Sequence, residues 1–268
     1  MGYLDGKTAI ITGGGTGIGL AIAQRFHREG AQVVICGRRL EKLKEAASLI
    51  SARGDRIFAV QGDITTEKDR QKIVKEAAEK TGRVDILVNN AGVMKFGKLE
   101  TVDLLYWDTL LDVNALAPWR LMIAVLPEMR KVGGGSIVNI SSLAGLEAFP
   151  ANGLYGTSKA ALQKLSQVFA MEVAPENIRV NVICPGVVED TELNDQIFGK
   201  ENVPLRYERM RSLHPLGRNG KPKDVADAAL FLASDQSSWI TGILLNLDGG
   251  RHLASNRPPV EGAADLKR

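Results

Sequence analysis

Tyr155 and Lys159 stand four places apart in the stretch LYGTSKA (154–160), in a segment whose apolar spacing predicts a helix from Tyr155 to Val173. Positions i and i+4 share one helix face, so the ammonium can act on the phenol. A free tyrosine ionises near pH ~10, and a neighbouring cation favours the phenolate, as acid–base work near neutrality requires. A core tyrosine beside a solvated lysine would show the same spacing, so the rest of the chain has to decide. Ser142 lies 13 residues before Tyr155 and can face the same pocket. Ser141 is the adjacent alternative, less favoured by spacing and strand alternation. Asn114 falls mid-helix, a poor place for asparagine unless its side chain has a task; a simple buried hydrogen bond is the less favoured alternative.

A second feature is TGGGTGIG (12–19), with Gly13, Gly15, Gly17 and Gly19 between a strand-like run and a helical one. Glycines there permit a tight turn with positive φ and a close backbone approach. The helix N-terminus adds partial positive charge for an anion such as a pyrophosphate. The spacing Gly13-x-x-x-Gly17-x-Gly19 misses the common G-x-G-x-x-G, so the general dinucleotide fingerprint is met only loosely. A glycine-rich turn without a ligand is the alternative.

These residues need elements to hold them. Seven short apolar runs read as strands: 7–12, 32–37, 56–62, 84–90, 136–142, 179–185 and 242–250. They do not alternate, as expected of strands covered on both faces. Helical patterns lie between them, at 18–29, 40–52, 67–80, 103–131, 155–173 and 223–234. Strands separated by helices imply right-handed crossovers and parallel pairing. The expected fold is α/β, a single doubly wound Rossmann-type domain with a seven-stranded parallel sheet flanked by helices, over residues 1–250. Ligands of such sheets bind outside the carboxyl ends of the strands. Residues 251–268 read as a tail.

The 268 residues, 44% hydrophobic and 24% charged, suit one globular domain. A net charge of +3 without a basic stripe argues against nucleic acid. Cys36 and Cys184 lie in apolar runs, so no disulfide framework is indicated. His27, His214 and His252 lack ligand spacing, and no metal is expected. No signal-peptide pattern opens the chain and no apolar run reaches about 18 residues, so the expectation is a cytoplasmic protein without a membrane span.

TGGGTGIG resembles the T-G-x-x-x-G-I-G signature of the classical short-chain dehydrogenase/reductase family. Further segments follow in that family's order: GDI (62–64), NNAG (89–92), Asn114, NISS (139–142), Tyr155-Gly-Thr-Ser-Lys159 and Pro185-Gly186. The resemblance covers residues 5–250. It implies an oxidoreductase that interconverts a ketone or aldehyde and an alcohol by hydride transfer with a nicotinamide cofactor. It assigns Ser142 to hydrogen-bond the substrate oxygen and Tyr155 to give or take the proton. Lys159 would lower the tyrosine's pKa and bind the nicotinamide ribose, and Asn114 would hold a water linking Lys159 to solvent. Gly13, Gly15, Thr16, Gly17, Ile18 and Gly19 would hold the cofactor, with Asp63 and Ile64 near the adenine. Asn90, Ala91, Gly92, Pro185, Gly186 and Val188 would complete its site. A homotetramer is implied too, paired through the helix that begins at Tyr155 and through the last strand.

NAD-binding chains usually place an acid about 20 residues past the glycines to hold the ribose 2′-OH. Here ICGRRLEKL offers Gly37, Arg38 and Arg39, with no acid until Glu41. Arg38, helped by Arg39, would take a 2′-phosphate through a charge-assisted fork; a solvated basic helix start is the alternative. Thr16 stands where many NADP-using relatives carry a base. NADP(H) is expected, with NAD(H) the alternative.

The substrate segment, 187–218, is expected to close over a small carbonyl or alcohol. Relatives place a hydroxyl residue five positions after the proline; here that position is Asp190 and Thr191 follows, leaving the register open. Leu143, Glu147, Phe149, Asn152, Val187 and Leu193 are pocket candidates, with Glu147 and Asn152 as polar anchors; Glu147 equally suits solvent. The layout resembles 3-oxoacyl-carrier-protein reductases, but APENIR (174–179) puts an acid where an acidic carrier would want bases, so that substrate ranks second. A catalytically idle dinucleotide-binding module is the remote alternative, since an idle site has no need of Asn114, Ser142, Tyr155 and Lys159 together. An epimerase of the extended relatives would want a larger C-terminal part.

Overall fold

The computed structural model describes residues 2–192, 199 and 201–254. Among these, seven parallel strands form one sheet in the order β3-β2-β1-β4-β5-β6-β7. They are β1 Thr8–Thr12, β2 Gln32–Gly37, β3 Ile57–Gln61, β4 Ile86–Asn89, β5 Gly135–Ile140, β6 Ile178–Pro185 and β7 Leu244–Leu247. Every expected strand is present, with ends shifted by a few residues. The runs are apolar throughout because helices cover both faces. On one side Phe26 of α1 (Gly17–Arg28), Leu43 of α2 (Leu40–Ile50) and Val225 of α8 (Pro222–Ala233) share a core with Ile11 and Ile35. On the other, Ile73 of α3 (Glu67–Thr81), Leu121 of α5 (Ala117–Lys131) and Phe169 of α6 (Gly153–Val173) pack on Ile10 and Leu87.

From β1 the chain runs outward through β2 and β3, then returns to pair β4 with β1 on its other side. The two crossover directions diverge there and open a crevice at the carboxyl ends of β1 and β4.

The helix expected over 103–131 is interrupted. Between α4 (Leu104–Leu111) and α5 lies a π-helical stretch, Asp112–Leu116, which carries Asn114. The whole segment Leu104–Lys131 has 28 residues, and an 18-residue window within it has a mean hydropathy of 1.4, enough by length and composition to cross a membrane. Half of its apolar window is buried inside the protein, with Leu121, Met122, Val125 and Met129 fully enclosed, so core packing accounts for the apolarity.

Residues 187–218 contain helix α7 (Val203–Arg211), and Val188 bridges to Gly220. The chain continues in regular structure just past the boundary expected at residue 250. Asp248 accepts hydrogen bonds from the backbone N–H groups of Gly250 (3.0 Å) and His252 (2.9 Å), starting α9 (Arg251–Ala254). The Arg251 guanidinium lies 4.8 Å from the centre of the Phe149 ring. The folded body therefore continues through Ala254; the rest of the expected tail, 255–268, lies outside the described residues.

Candidate active site

The glycine loop forms where β1 turns into α1. Gly13 and Gly17 take positive φ, +64° and +53°, a region L side chains rarely enter. The Thr12 hydroxyl accepts from the backbone N–H groups of Asn90 (2.9 Å) and Ala91 (3.0 Å). The Asn90 amide donates back to the Thr12 carbonyl at 3.0 Å. The two strand ends are thus locked together. α1 has no side-chain cap and no acid within its own first turn, so its N–H groups and positive end face the crevice. That arrangement fits the pyrophosphate of a dinucleotide.

Across the crevice, the chain leaves β5 at Ser141 and Ser142 and turns through Leu143–Gly145. Ser141 is buried: its hydroxyl donates to the Lys159 carbonyl at 3.1 Å and accepts from Gln163. Ser142 faces the crevice and hydrogen-bonds Tyr155 from the first turn of α6. Lys159, one turn on, is 4% exposed; its ammonium donates to the Ile140 carbonyl at 2.9 Å and lies 5.8 Å from the Tyr155 ring centre. Burial pushes the Tyr155 phenol up to about 12, against the pull of the Ser142 hydrogen bond. Burial pulls the Lys159 ammonium down to about 8. The expected lowering of the phenol by the lysine is reversed in this geometry. Desolvation outweighs a cation that is already engaged with a carbonyl.

Asn114 is fully buried behind this pair rather than in the wall of the cleft. Its amide oxygen accepts from the Val93 N–H (2.9 Å), and its NH₂ donates to the Val93 carbonyl (2.8 Å) and the Ser158 hydroxyl (3.0 Å). A Cβ on Gly92 would sit 3.1 Å from the Asn114 oxygen and 3.4 Å from the Lys159 nitrogen, which places all three side by side.

Over residues 13–252 the chain matches a family model described as Enoyl-(Acyl carrier protein) reductase. It is 38% identical to Dehydrogenase/reductase SDR family member 4 of Bos taurus, over 92% of this chain and 88% of that one. It is 35% identical to 2-(S)-hydroxypropyl-CoM dehydrogenase 3 of Xanthobacter autotrophicus, over 92% and 97%. The chain belongs to the short-chain dehydrogenase/reductase family. Among solved structures, carveol dehydrogenase from Mycobacterium avium in complex with NAD superposes with a TM-score of 0.88 at 32% identity, over 94% of this chain and all of that one. As a family member, the chain is an oxidoreductase that binds a nicotinamide dinucleotide.

The short-chain dehydrogenase/reductase cleft encloses about 720 Å³. Gly13, Gly15, Thr16, Gly17, Ile18, Asp63, Ile64, Asn90, Ala91 and Gly92 line one half of it, with Pro185, Gly186, Val187 and Val188 at the end of β6. Gly19 is not in the wall. It is buried in α1, where a Cβ would come within 2.2 Å of the Gly13 carbonyl oxygen, so its role is close packing. Leu143, Phe149 and Asn152 line the substrate half. Glu147 does not; it lies outside the wall near enough to influence Arg251. Leu193 lies outside the described residues. Asp190 takes a left-handed φ of +56°, and Thr191, not Asp190, lines the cleft.

Arg38 and Arg39 stand exposed beyond β2 and both line the cleft. Sequence reasoning missed Glu192: its carboxylate accepts from Arg39 at 2.5 Å and from the Thr16 hydroxyl at 3.4 Å. An acid from the substrate segment therefore closes over the end of the cleft where the two arginines stand. Nothing local in the sequence pairs position 192 with position 39. The arginines Arg206 and Arg251, also in the wall, were missed for the same reason.

Proposed function

We propose that the protein is an NADP(H)-dependent oxidoreductase that interconverts a ketone or aldehyde with the corresponding alcohol, Tyr155 acting as general acid and base. The observation that carries this reading is the hydrogen-bonded Ser142–Tyr155 pair facing a glycine loop with an uncapped helix N-terminus across one cleft. When bound, the nicotinamide supplies or takes up the hydride. Ser142 holds the substrate oxygen in place. In reduction Tyr155 gives its phenolic proton to that oxygen, and in oxidation it takes the proton back. Lys159 and Asn114 stand behind Tyr155, on the side from which that proton can be replaced.

Arg38 supports NADP(H): its side chain has no hydrogen-bond partner among the described residues, and no acid caps β2 as an NAD ribose would favour. The carrier-protein alternative gains nothing from residues 174–179, where Glu176 accepts from Arg130 at 2.8 Å and the local charge is already matched. The same reading has the protein act on a small molecule, in the cytoplasm, as a homotetramer.

The test follows the loss of NADPH or NADH absorbance over a panel of sugars, steroids, quinones, diketones and 3-oxoacyl thioesters. Turnover is expected to prefer NADPH and to fall at least about 10²-fold in Tyr155→Phe. Preference for NADH would remove the Arg38 argument, and undiminished turnover in the variant would remove Tyr155 from the chemistry.

A further inference from the structure

Tyr155, Lys159 and Gln163 follow one another at intervals of four on one face of α6. Gln163 is 4% exposed and does not line the cleft. A Cβ on Gly145 would come within 2.6 Å of its amide nitrogen, so the turn Leu143–Gly145 closes directly over the amide. That nitrogen donates to the Ser142 carbonyl at 3.1 Å, the Ser141 hydroxyl at 3.1 Å and the Cys184 sulfur at 3.4 Å. Two protons serve three acceptors, and the carbonyl, which can only accept, fixes which end of the amide faces the turn. One side chain thus ties α6 to the exit of β5 and to β6.

The bonds continue back into the helix. Ser141 donates its own proton to the Lys159 carbonyl at 3.1 Å. Both serines are therefore pinned to α6, one and two turns beyond Tyr155. The Ser142 carbonyl also accepts from the Gly145 N–H at 3.0 Å, and its hydroxyl accepts from the Ala144 N–H at 3.1 Å. The hydroxyl proton is left for Tyr155 or for a substrate oxygen. An apolar side chain of equal size would fill the space at position 163, but it would leave these acceptors without a donor from the helix.

We infer that Gln163 is a positioning residue: its amide fixes the Ser142 backbone against α6 and so keeps the Ser142 hydroxyl within reach of the Tyr155 phenol. This rests on the carbonyl-reducing reading above and adds a residue that works through Ser142 without touching substrate or cofactor. A displacement of about 1 Å at a reacting group is enough to cost about 10²-fold in rate.

The test is a double-mutant cycle with Gln163→Met, which keeps the length and loses the donors, in the wild-type and Ser142→Ala backgrounds. Reduction of 2,3-butanedione with NADPH is followed. In the wild-type background the substitution is expected to lower kcat about 10- to 10²-fold, while NADPH affinity, measured by nucleotide fluorescence, changes by less than about twofold. In the Ser142→Ala background it is expected to change kcat by less than about twofold, because the residue it acts through is gone. A merely structural role would cost the same factor in both backgrounds; that result would overturn the inference and leave the reductase reading standing. The same cycle is read without turnover from the ¹³Cζ resonance of Tyr155. Gln163→Met should move it as Ser142→Ala does and add no further shift in the Ser142→Ala background. That pattern without reduction of 2,3-butanedione or any other carbonyl of the panel would support the inference and count against the reductase reading. If Gln163→Met does not fold, the wild type decides: slow solvent exchange of the Gln163 side-chain amide protons supports the inference, and exchange as fast as that of an exposed glutamine overturns it.

Discussion

Burial sets the ionisation of both Tyr155 and Lys159, and it pushes them in opposite directions, the phenol to about 12 and the ammonium to about 8. Below pH 8 Lys159 is protonated in the folded and unfolded chain alike, and the penalty of burying its charge is present in full. Between pH 8 and 10.5 the folded chain has lost that proton while the unfolded chain keeps it, so stability rises with pH across this window. Urea unfolding of wild type and Lys159→Met at pH 7 and pH 10 should show the wild type gaining on the variant by up to about 3 kcal/mol. An unchanged difference would mean that Lys159 is not desolvated. At the other end of the cleft, Glu192 holds Arg39 where a 2′-phosphate is proposed to sit. Both side chains are partly exposed, so the pair is weak and easily displaced. Glu192→Gln is expected to tighten NADPH binding about two- to fivefold with a smaller effect on NADH, measured by nucleotide fluorescence titration. Equal changes for the two nucleotides would place Glu192 away from the phosphate.

At the scale of elements, the π-helical stretch Asp112–Leu116 is the feature that aims Asn114. One extra residue in the helical turn rotates the side chain toward Val93 and Ser158, and π turns of this kind recur at functional sites. Asn114 is bonded to both backbone groups of Val93, so it also holds the loop after β4 against α6. Asn114→Ala leaves the part-buried N–H and C=O of Val93 without their side-chain partner. A loss of about 1–3 kcal/mol is expected in thermal or urea unfolding. Activity should fall by more than that loss of folded protein explains, because Val93 lies in the wall of the cleft. Parallel losses of activity and folded fraction would confine Asn114 to a structural role. Both the fold and the loop order were legible here: apolar runs without alternation could only be buried strands, and glycine after β1 could only open a turn. The π stretch was not legible, since its apolar period is almost that of the α-helix on either side.

At the scale of the molecule, several apolar side chains remain outside the core. Val168 and Met171 on the outer face of α6 are 47% and 80% exposed, Leu104 and Leu105 at the start of α4 are 75% and 77% exposed, and Trp239 before β7 is 99% exposed. β7 is an edge strand with one neighbour, β6. Edges and apolar faces of this kind are where chains associate, which supports the proposed homotetramer through α6 and β7. Light scattering should report four chains per particle, and Val168→Asp combined with Met171→Asp should reduce that number. A wild-type monomer would sink the assembly expectation.

The sequence alone determined the strands, the helices, the parallel crossovers and the glycine loop. Short spacing set Ser142, Tyr155 and Lys159 near one another, and the resemblance to the family gave them and Arg38 their expected roles at the carboxyl edge. Only the tertiary structure decided the rest. It set Glu192 against Arg39, 153 positions away in the chain, and it brought Arg206 and Arg251 onto Phe96 and Phe149. It placed Thr191 in the cleft wall beside the left-handed backbone of Asp190 and left Glu147 outside. Those placements depend on how loops and terminal turns fold back over the sheet, and no periodicity records that. The pKa directions were beyond the sequence for a related reason: desolvation depends on enclosure in three dimensions, and it reversed what the Tyr155–Lys159 spacing suggested.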